Sequence, residues 1–193
     1  MKKSMHIIST YQVTKIPLDE KGKPSLDAKK INEVYESVRP IRNTIIESAL
    51  LVEHALTSVI LFFIDGKSLD RRSLLKNLLF DSDNFTFMQK RKVFSQIFEM
   101  KGDKITCLTP NEAKALRREI NDIILERNKY AHGVIIIDCM SWKAQIKYFH
   151  GRERTEDVTP EIGKQFFDRC QECVRLLDKL VDYFRENEII KNS

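Results

Sequence analysis

Apolar positions along this chain repeat mostly at three- and four-residue spacing, the period of a helix face. Ile31, Val34, Tyr35 and Val38 follow it first, in a helix that begins near Leu26. Pro40 then either kinks that helix or opens the next one at its first position. From Ile41 to Ile64, apolar residues from Ile45 to Phe63 cover more than half the circumference, which predicts a helix central to a bundle. Asp65-Gly66 ends it. A shorter helix is expected over Ser68 to Phe80, and another over Thr86 to Met100, separated by the polar run Asp81-Ser82-Asp83-Asn84. Thr109-Pro110-Asn111-Glu112 then places Thr at a cap, Pro at the first helical position and Glu at the third. The helix it opens should run to His132, with Gly133 just past its end. After Gly133 the period changes. Val134-Ile135-Ile136-Ile137 is β-branched, and Ala144 to Phe149 partly alternates, so a β-hairpin is expected over about 134–150, with Met140-Ser141-Trp142 near its turn and His150-Gly151 at its end. Thr159-Pro160 repeats the start signal for a last helix to about Asn187. The predicted fold is therefore all-α: a bundle of five to six helices with one small hairpin inserted before the last helix. Residues 1–25, polar and turn-prone, form a flexible arm or a short strand near Ile7 to Val13, and residues 26–193 form one domain.

Composition agrees with long helices. The 193 residues hold only 6 Gly and 5 Pro, so few turns are signalled. A net charge of +5 is a mild basic bias, compatible with a polyanionic partner. No secretory signal fits the N-terminus. The apolar stretch Ala49 to Ile64 contains Glu53 and His54 and is shorter than the roughly 20 residues of a membrane span. A cytoplasmic protein without membrane contact is the expectation. Cys107, Cys139, Cys170 and Cys173 do not form a disulfide framework. Cys170-Gln171-Glu172-Cys173 is a lone CxxC within a predicted helix, and packing is its plain reading.

The segment with chemistry closes the helix that begins at Thr109. Its apolar stripe reads Leu116, Ile120, Ile123, Ile124, and the next position on that stripe is Arg127. A guanidinium stands where the pattern asks for an aliphatic side chain, and burying it unpaired would be expensive. Arg127 therefore needs a partner, a groove or an interface, and Glu53 is one candidate partner. Asn128 and His132 are four apart and share a face. The structural alternatives are a snorkelling or ion-paired Arg127, a His132 placed for the helix dipole and a merely exposed Asn128.

Arg127-Asn128-Lys129-Tyr130-Ala131-His132-Gly133 resembles the signature of HEPN domains, an Arg, four to six residues and a His, often with a polar residue after the Arg. Leu78-Leu79-Phe80 followed by Phe85-Thr86-Phe87 also resembles the mannitol operon repressor-like branch of all-α proteins. The first resemblance implies a metal-independent endoribonuclease, often a toxin or an antiviral defence effector. Arg127 would bind the scissile phosphate, His132 would act as acid/base and Asn128 would orient. RNA carries its own nucleophile in the 2′-hydroxyl, so neither metal nor other cofactor is implied. Arg117, Arg118 and Lys129 share the motif's helix and are candidates for RNA backbone contacts, and Tyr130 for base stacking, with packing the plainer role for Tyr130. Trp142 is open between stacking and packing. Positions five apart point about 140° apart on an ideal helix, so one motif is a poor pocket. The resemblance implies a homodimer with the motif helices at the two-fold axis, RNA as ligand, and an antitoxin or regulatory protein as possible partner. The alternative is a non-catalytic HEPN-like binding or regulatory module, also homodimeric.

Overall fold

The computed structural model describes residues 11–65, 68–77 and 85–187. Along them run β1 (Tyr11–Thr14), α1 (Ala28–Asp65), α2 (Leu69–Leu75), α3 (Phe87–Lys101), α4 (Pro110–His132), β2 (Val134–Asp138), β3 (Lys143–His150), β4 (Arg152–Asp157) and α5 (Pro160–Glu186). A 3₁₀ turn at Gly102–Lys104 follows α3. The expected loop at Asp81 to Asn84 and the Leu78-Leu79-Phe80 run lie outside the described residues.

The helix starts follow local chemistry. Thr109 Oγ1 accepts from the Glu112 amide at 3.2 Å, and Glu112 accepts from the Thr109 amide at 2.7 Å. This reciprocal cap satisfies two amides that the first turn would leave open, and typically contributes about 1 kcal/mol. Thr86 and Gln89 cap α3 in the same way. Pro40 does not divide α1, which runs unbroken for 38 residues with Pro40 inside it. The stretch Ala49 to Ile64 is thus part of a much longer helix. Within α1 an 18-residue window has a mean hydropathy of 1.7, so by length and composition this helix could cross a membrane. Of that window 56% is buried inside the fold.

The all-α expectation is overturned. The hairpin of β2 and β3 exists, but it is the middle of a four-stranded mixed sheet in the order β1-β2-β3-β4. β1 joins β2 in parallel, with Tyr11 opposite Ile135 and Thr14 opposite Asp138. β4 extends β3 antiparallel, with His150 opposite Arg152. Two physical facts kept this sheet from view. A short strand near Ile7 to Val13 is one of the two expectations for the N-terminal segment, and β1 overlaps its described part; its parallel pairing with β2, far along the chain, is what no local turn announces. β4 is exposed at every position, and Arg152-Glu153-Arg154-Thr155-Glu156-Asp157 shows no alternation. Such charge suits an edge strand that must resist pairing with other chains. His150-Gly151 does not end the hairpin: Gly151, at φ +70°, turns the chain directly into β4.

The described residues divide into two compact units. The first holds residues 11–46 and 127–165: the sheet, the beginning of α1, the end of α4 and the start of α5. Ile31, Val38, Ile45, Ile135, Ile137 and Ile146 are buried there. β2 is buried along four consecutive residues, covered on both faces, whereas β3 buries only Ala144 and Ile146. The second holds residues 47–126 and 166–187. Its core includes Val52, Leu56, Phe94, Ile120, Leu177 and Phe184. At about 1.5–3 kcal/mol per fully buried aliphatic or Phe side chain, burial is the leading stabilising effect in each.

Candidate functional site

α4 ends at His132, and the residue after it has no room for a side chain. A Cβ on Gly133 would lie 2.5 Å from the Lys129 carbonyl oxygen and 2.7 Å from Cγ1 of Ile146. The Gly133 amide donates to the Lys129 carbonyl at 2.8 Å, closing the last turn, and the chain enters β2 at once. Arg127, Asn128, Lys129, Tyr130 and His132 are thereby carried on a helix end held against the sheet. All five belong to the first unit.

The structure sorts them. His132 is exposed at the last helical position. Arg127 is half-buried, and its Nη1 donates to Asn128 Oδ1 at 3.1 Å. Among the described residues no carboxylate lies within ion-pairing distance of Arg127. Glu53, offered as its partner, instead accepts from Lys90 at 2.8 Å. Tyr130 is fully buried and packs, so it offers no face to a base. Lys129 lies largely under neighbouring side chains: its Nζ donates to Glu156 at 2.6 Å, and its side chain is 10% exposed. Tyr148 donates to the same Glu156 carboxylate. Burial works to raise the Glu156 carboxyl, but the hydrogen bonds from Lys129 and Tyr148 hold it below the usual range. The Tyr148 hydroxyl is pushed up, first by that hydrogen bond. Lys129 is thus committed to a structural pair that ties α4 to β4.

One residue of this site had no signal in the sequence. Arg42, on α1, donates from Nη2 to the Ala131 carbonyl at 3.1 Å from 89 residues away. A guanidinium at a helix C-terminus meets both an open carbonyl and the negative end of the dipole. The end of α4 therefore presents Arg127, Arg42, Asn128 and His132: two guanidinium groups, an amide and an imidazole. Guanidinium and amide groups are donor types that an oxyanion takes and an imidazole is an acid/base type, although side chains at 127 and 132 diverge around the helix.

Arg117 and Arg118 belong to the second unit. Arg117 donates to the Ala113 carbonyl at 3.4 Å and sits 5.8 Å from the Phe98 ring centre. Arg118 lies 3.8 Å from Asp122. Trp142 is held in the left-handed region at φ +56°, with the Lys30 ammonium 4.3 Å from its ring centre, so one face is already covered. Cys170 and Cys173 are buried and unpaired. Burial pushes the Cys170 thiol up to about 12 and raises Cys173 as well, which keeps both protonated and in packing roles. Among the described residues no group of three or more His, Cys, Asp or Glu converges as a metal site requires. No family model, curated protein or solved structure matches this chain.

Proposed function

We propose that the chain is a metal-independent endoribonuclease of the HEPN type, cytoplasmic, acting as a toxin or antiviral defence effector. The observation that supports this reading most is the state of Arg127. It occupies the apolar stripe of α4, yet no carboxylate pairs with it among the described residues. A guanidinium held half-buried without a counter-charge is a ready partner for a phosphate. The exposed imidazole of His132 stands at the end of the same helix.

The chemistry needs only the groups named. The 2′-oxygen of a ribose attacks the adjacent phosphorus, and the bond from phosphorus to the 5′-oxygen breaks. The products are a 2′,3′-cyclic phosphate and a free 5′-hydroxyl. One proton leaves the 2′-oxygen and one reaches the 5′-oxygen, so no co-reactant is consumed. His132 takes or gives that proton. Arg127 binds the non-bridging oxygens, where charge builds in the transition state. Asn128, hydrogen-bonded to Arg127, fixes the direction of the guanidinium. Side chains at 127 and 132 diverge by about 140° on a helix, so a homodimer with the motif helices at its two-fold axis would pool two motifs in one cleft.

The test is incubation of the purified protein with single-stranded and structured RNA in chelator, beside Arg127→Ala and His132→Ala. The wild type should cut, and each variant should lose at least about a hundredfold in rate, as expected for removing an acid/base group or a transition-state donor. If the wild type cuts no better than either variant, the reading fails.

A further inference from the structure

A second cationic site lies wholly in the second unit, in the groove between α3 and α4. The groove holds about 580 Å³. From α3 it is lined by Arg91 and Lys92, and from α4 by Lys114, Arg117 and Arg118; among the described residues Glu99 is the one acidic group in the lining. The spacing explains why a groove exists here. On α3, positions 91, 92, 95, 96 and 99 share one face, while Phe87, Phe94 and Ile97 are buried. On α4, positions 114, 117, 118 and 121 do the same, while Ala113, Leu116 and Ile120 are buried. Two polar stripes line one channel, and they carry nearly the same sign.

That charge is not neutralised internally. Among the described residues Arg91, Lys92, Lys114 and Arg117 have no carboxylate within ion-pairing distance. Arg118 has Asp122 at 3.8 Å, an exposed pair on its own helix. The Arg91 guanidinium meets no carboxylate on its own helix either: its Nη1 points to the Met88 sulfur at 4.0 Å. Arg117 is braced by the Ala113 carbonyl and by the Phe98 ring, which holds its guanidinium in place. Ser95, Gln96 and Asn121 add neutral hydrogen-bonding groups between the cations. Among the described residues no aromatic side chain lines the channel.

We infer that this groove binds the phosphodiester backbone of a single-stranded nucleic acid, without reading its sequence. Cations in two rows match a chain of phosphates, and the neutral amides and hydroxyl suit phosphate and sugar oxygens. Without an aromatic platform, base stacking contributes little and affinity comes from charge. The choice of RNA over DNA rests on the proposed function; the phosphate chemistry does not. The inference extends the expected backbone contacts of Arg117 and Arg118 to a built channel with Arg91, Lys92 and Lys114.

The probe is an oligouridylate carrying 2′-O-methyl groups, which lacks the 2′-hydroxyl nucleophile and stays uncut. Its affinity is measured by fluorescence anisotropy across a salt series, beside a single-stranded DNA oligomer of matching sequence. The double variant Lys92→Ala/Lys114→Ala removes two exposed cations. Its plot of log affinity against log salt should flatten by about 1.4, at about 0.7 per phosphate contact on a single strand. Arg152→Ala/Lys164→Ala, with the same charge change at residues of the first unit that do not line the groove, should bind as the wild type does. Equal losses in the two double variants, or no salt-dependent binding by the wild type, would overturn the inference. Equal binding of the DNA oligomer with the same groove dependence supports the groove and removes the preference for RNA. Groove-dependent binding without any cleavage of ordinary RNA refutes the ribonuclease reading and leaves the groove standing. Cleavage by a protein whose Lys92→Ala/Lys114→Ala variant binds unchanged does the reverse.

Discussion

Lys90 and Arg127 are both cations set among the apolar positions of amphipathic helices, and the structure treats them oppositely. Lys90 is 7% exposed, and its ammonium sits 2.8 Å from Glu53, whose side chain is itself largely covered. Arg127 has the amide of its neighbour Asn128 and no carboxylate among the described residues. Lys129, two residues on, repeats the pattern of Lys90, with Glu156 at 2.6 Å. A charge that serves the fold is given a counter-charge, because leaving it buried alone is costly. A charge left without one is available to a ligand. This contrast separates Arg127 from Lys90 and Lys129 and is consistent with the phosphate-binding role proposed for it.

The largest expected effect tests Arg127 directly. Arg127→Met should lower RNA cleavage by about a hundredfold or more while the thermal midpoint is unchanged or higher, since no pair is broken. A midpoint lowered as far as by removal of Glu53 would make Arg127 structural and end the contrast. Glu53→Ala should lower unfolding free energy by about 3 kcal/mol in denaturant titration, because it strands the Lys90 ammonium in the core. Joint replacement by Glu53→Leu and Lys90→Met should recover most of that loss. Gly133→Ala should cost about 1–3 kcal/mol, since its methyl meets a carbonyl and Ile146 at well under contact distance. Because the collision lies next to His132, cleavage should fall by more than the loss of folded protein explains.

The smallest effect concerns acid. Asp138 is held at about 2, first by the Lys15 ammonium at 2.6 Å and then, against the opposing effect of burial, by the amides of Met140 and Ser141. Its folded-state value lies below the ordinary aspartate value. The carboxylate therefore stabilises the fold above about pH 4, and that contribution is lost as pH falls toward about 2. Asp138→Asn should show a shallower decline in stability over that window. An unchanged acid profile would mean the turn at Asp138 does not sense its charge.

Much of the helical framework was legible from local pattern. The Thr109 cap, the run of α4 to His132 and the start of α5 at Pro160 all stand where spacing and caps put them. Pro40 was harder to place, because a proline signals a break and says nothing of the packing that carries α1 through it. The hairpin was legible from β-branched residues, but the sheet around it was not. A short strand at the position of β1 was one of the readings of the N-terminal segment, but its parallel pairing with β2 was not legible, and β4 is an all-polar edge. The motif positions were legible as an interruption of an apolar stripe. Their sorting was not: that Tyr130 is buried, that Lys129 is spent on Glu156 and that Arg42 reaches Ala131 all depend on partners far away in sequence.

The sequence by itself determined the helix caps, the faces of α3, α4 and α5 and the presence of Arg127, Asn128 and His132 at one helix end. These follow from interactions within a few residues, where spacing alone decides which side chains meet. Only the tertiary structure decided that the fold carries a four-stranded mixed sheet, that Glu53 is paired with Lys90, that Arg127 has no carboxylate partner among the described residues, and that two polar helix faces line a basic groove. Each of those depends on which of several chemically equivalent partners is brought within a few ångströms, and packing makes that choice.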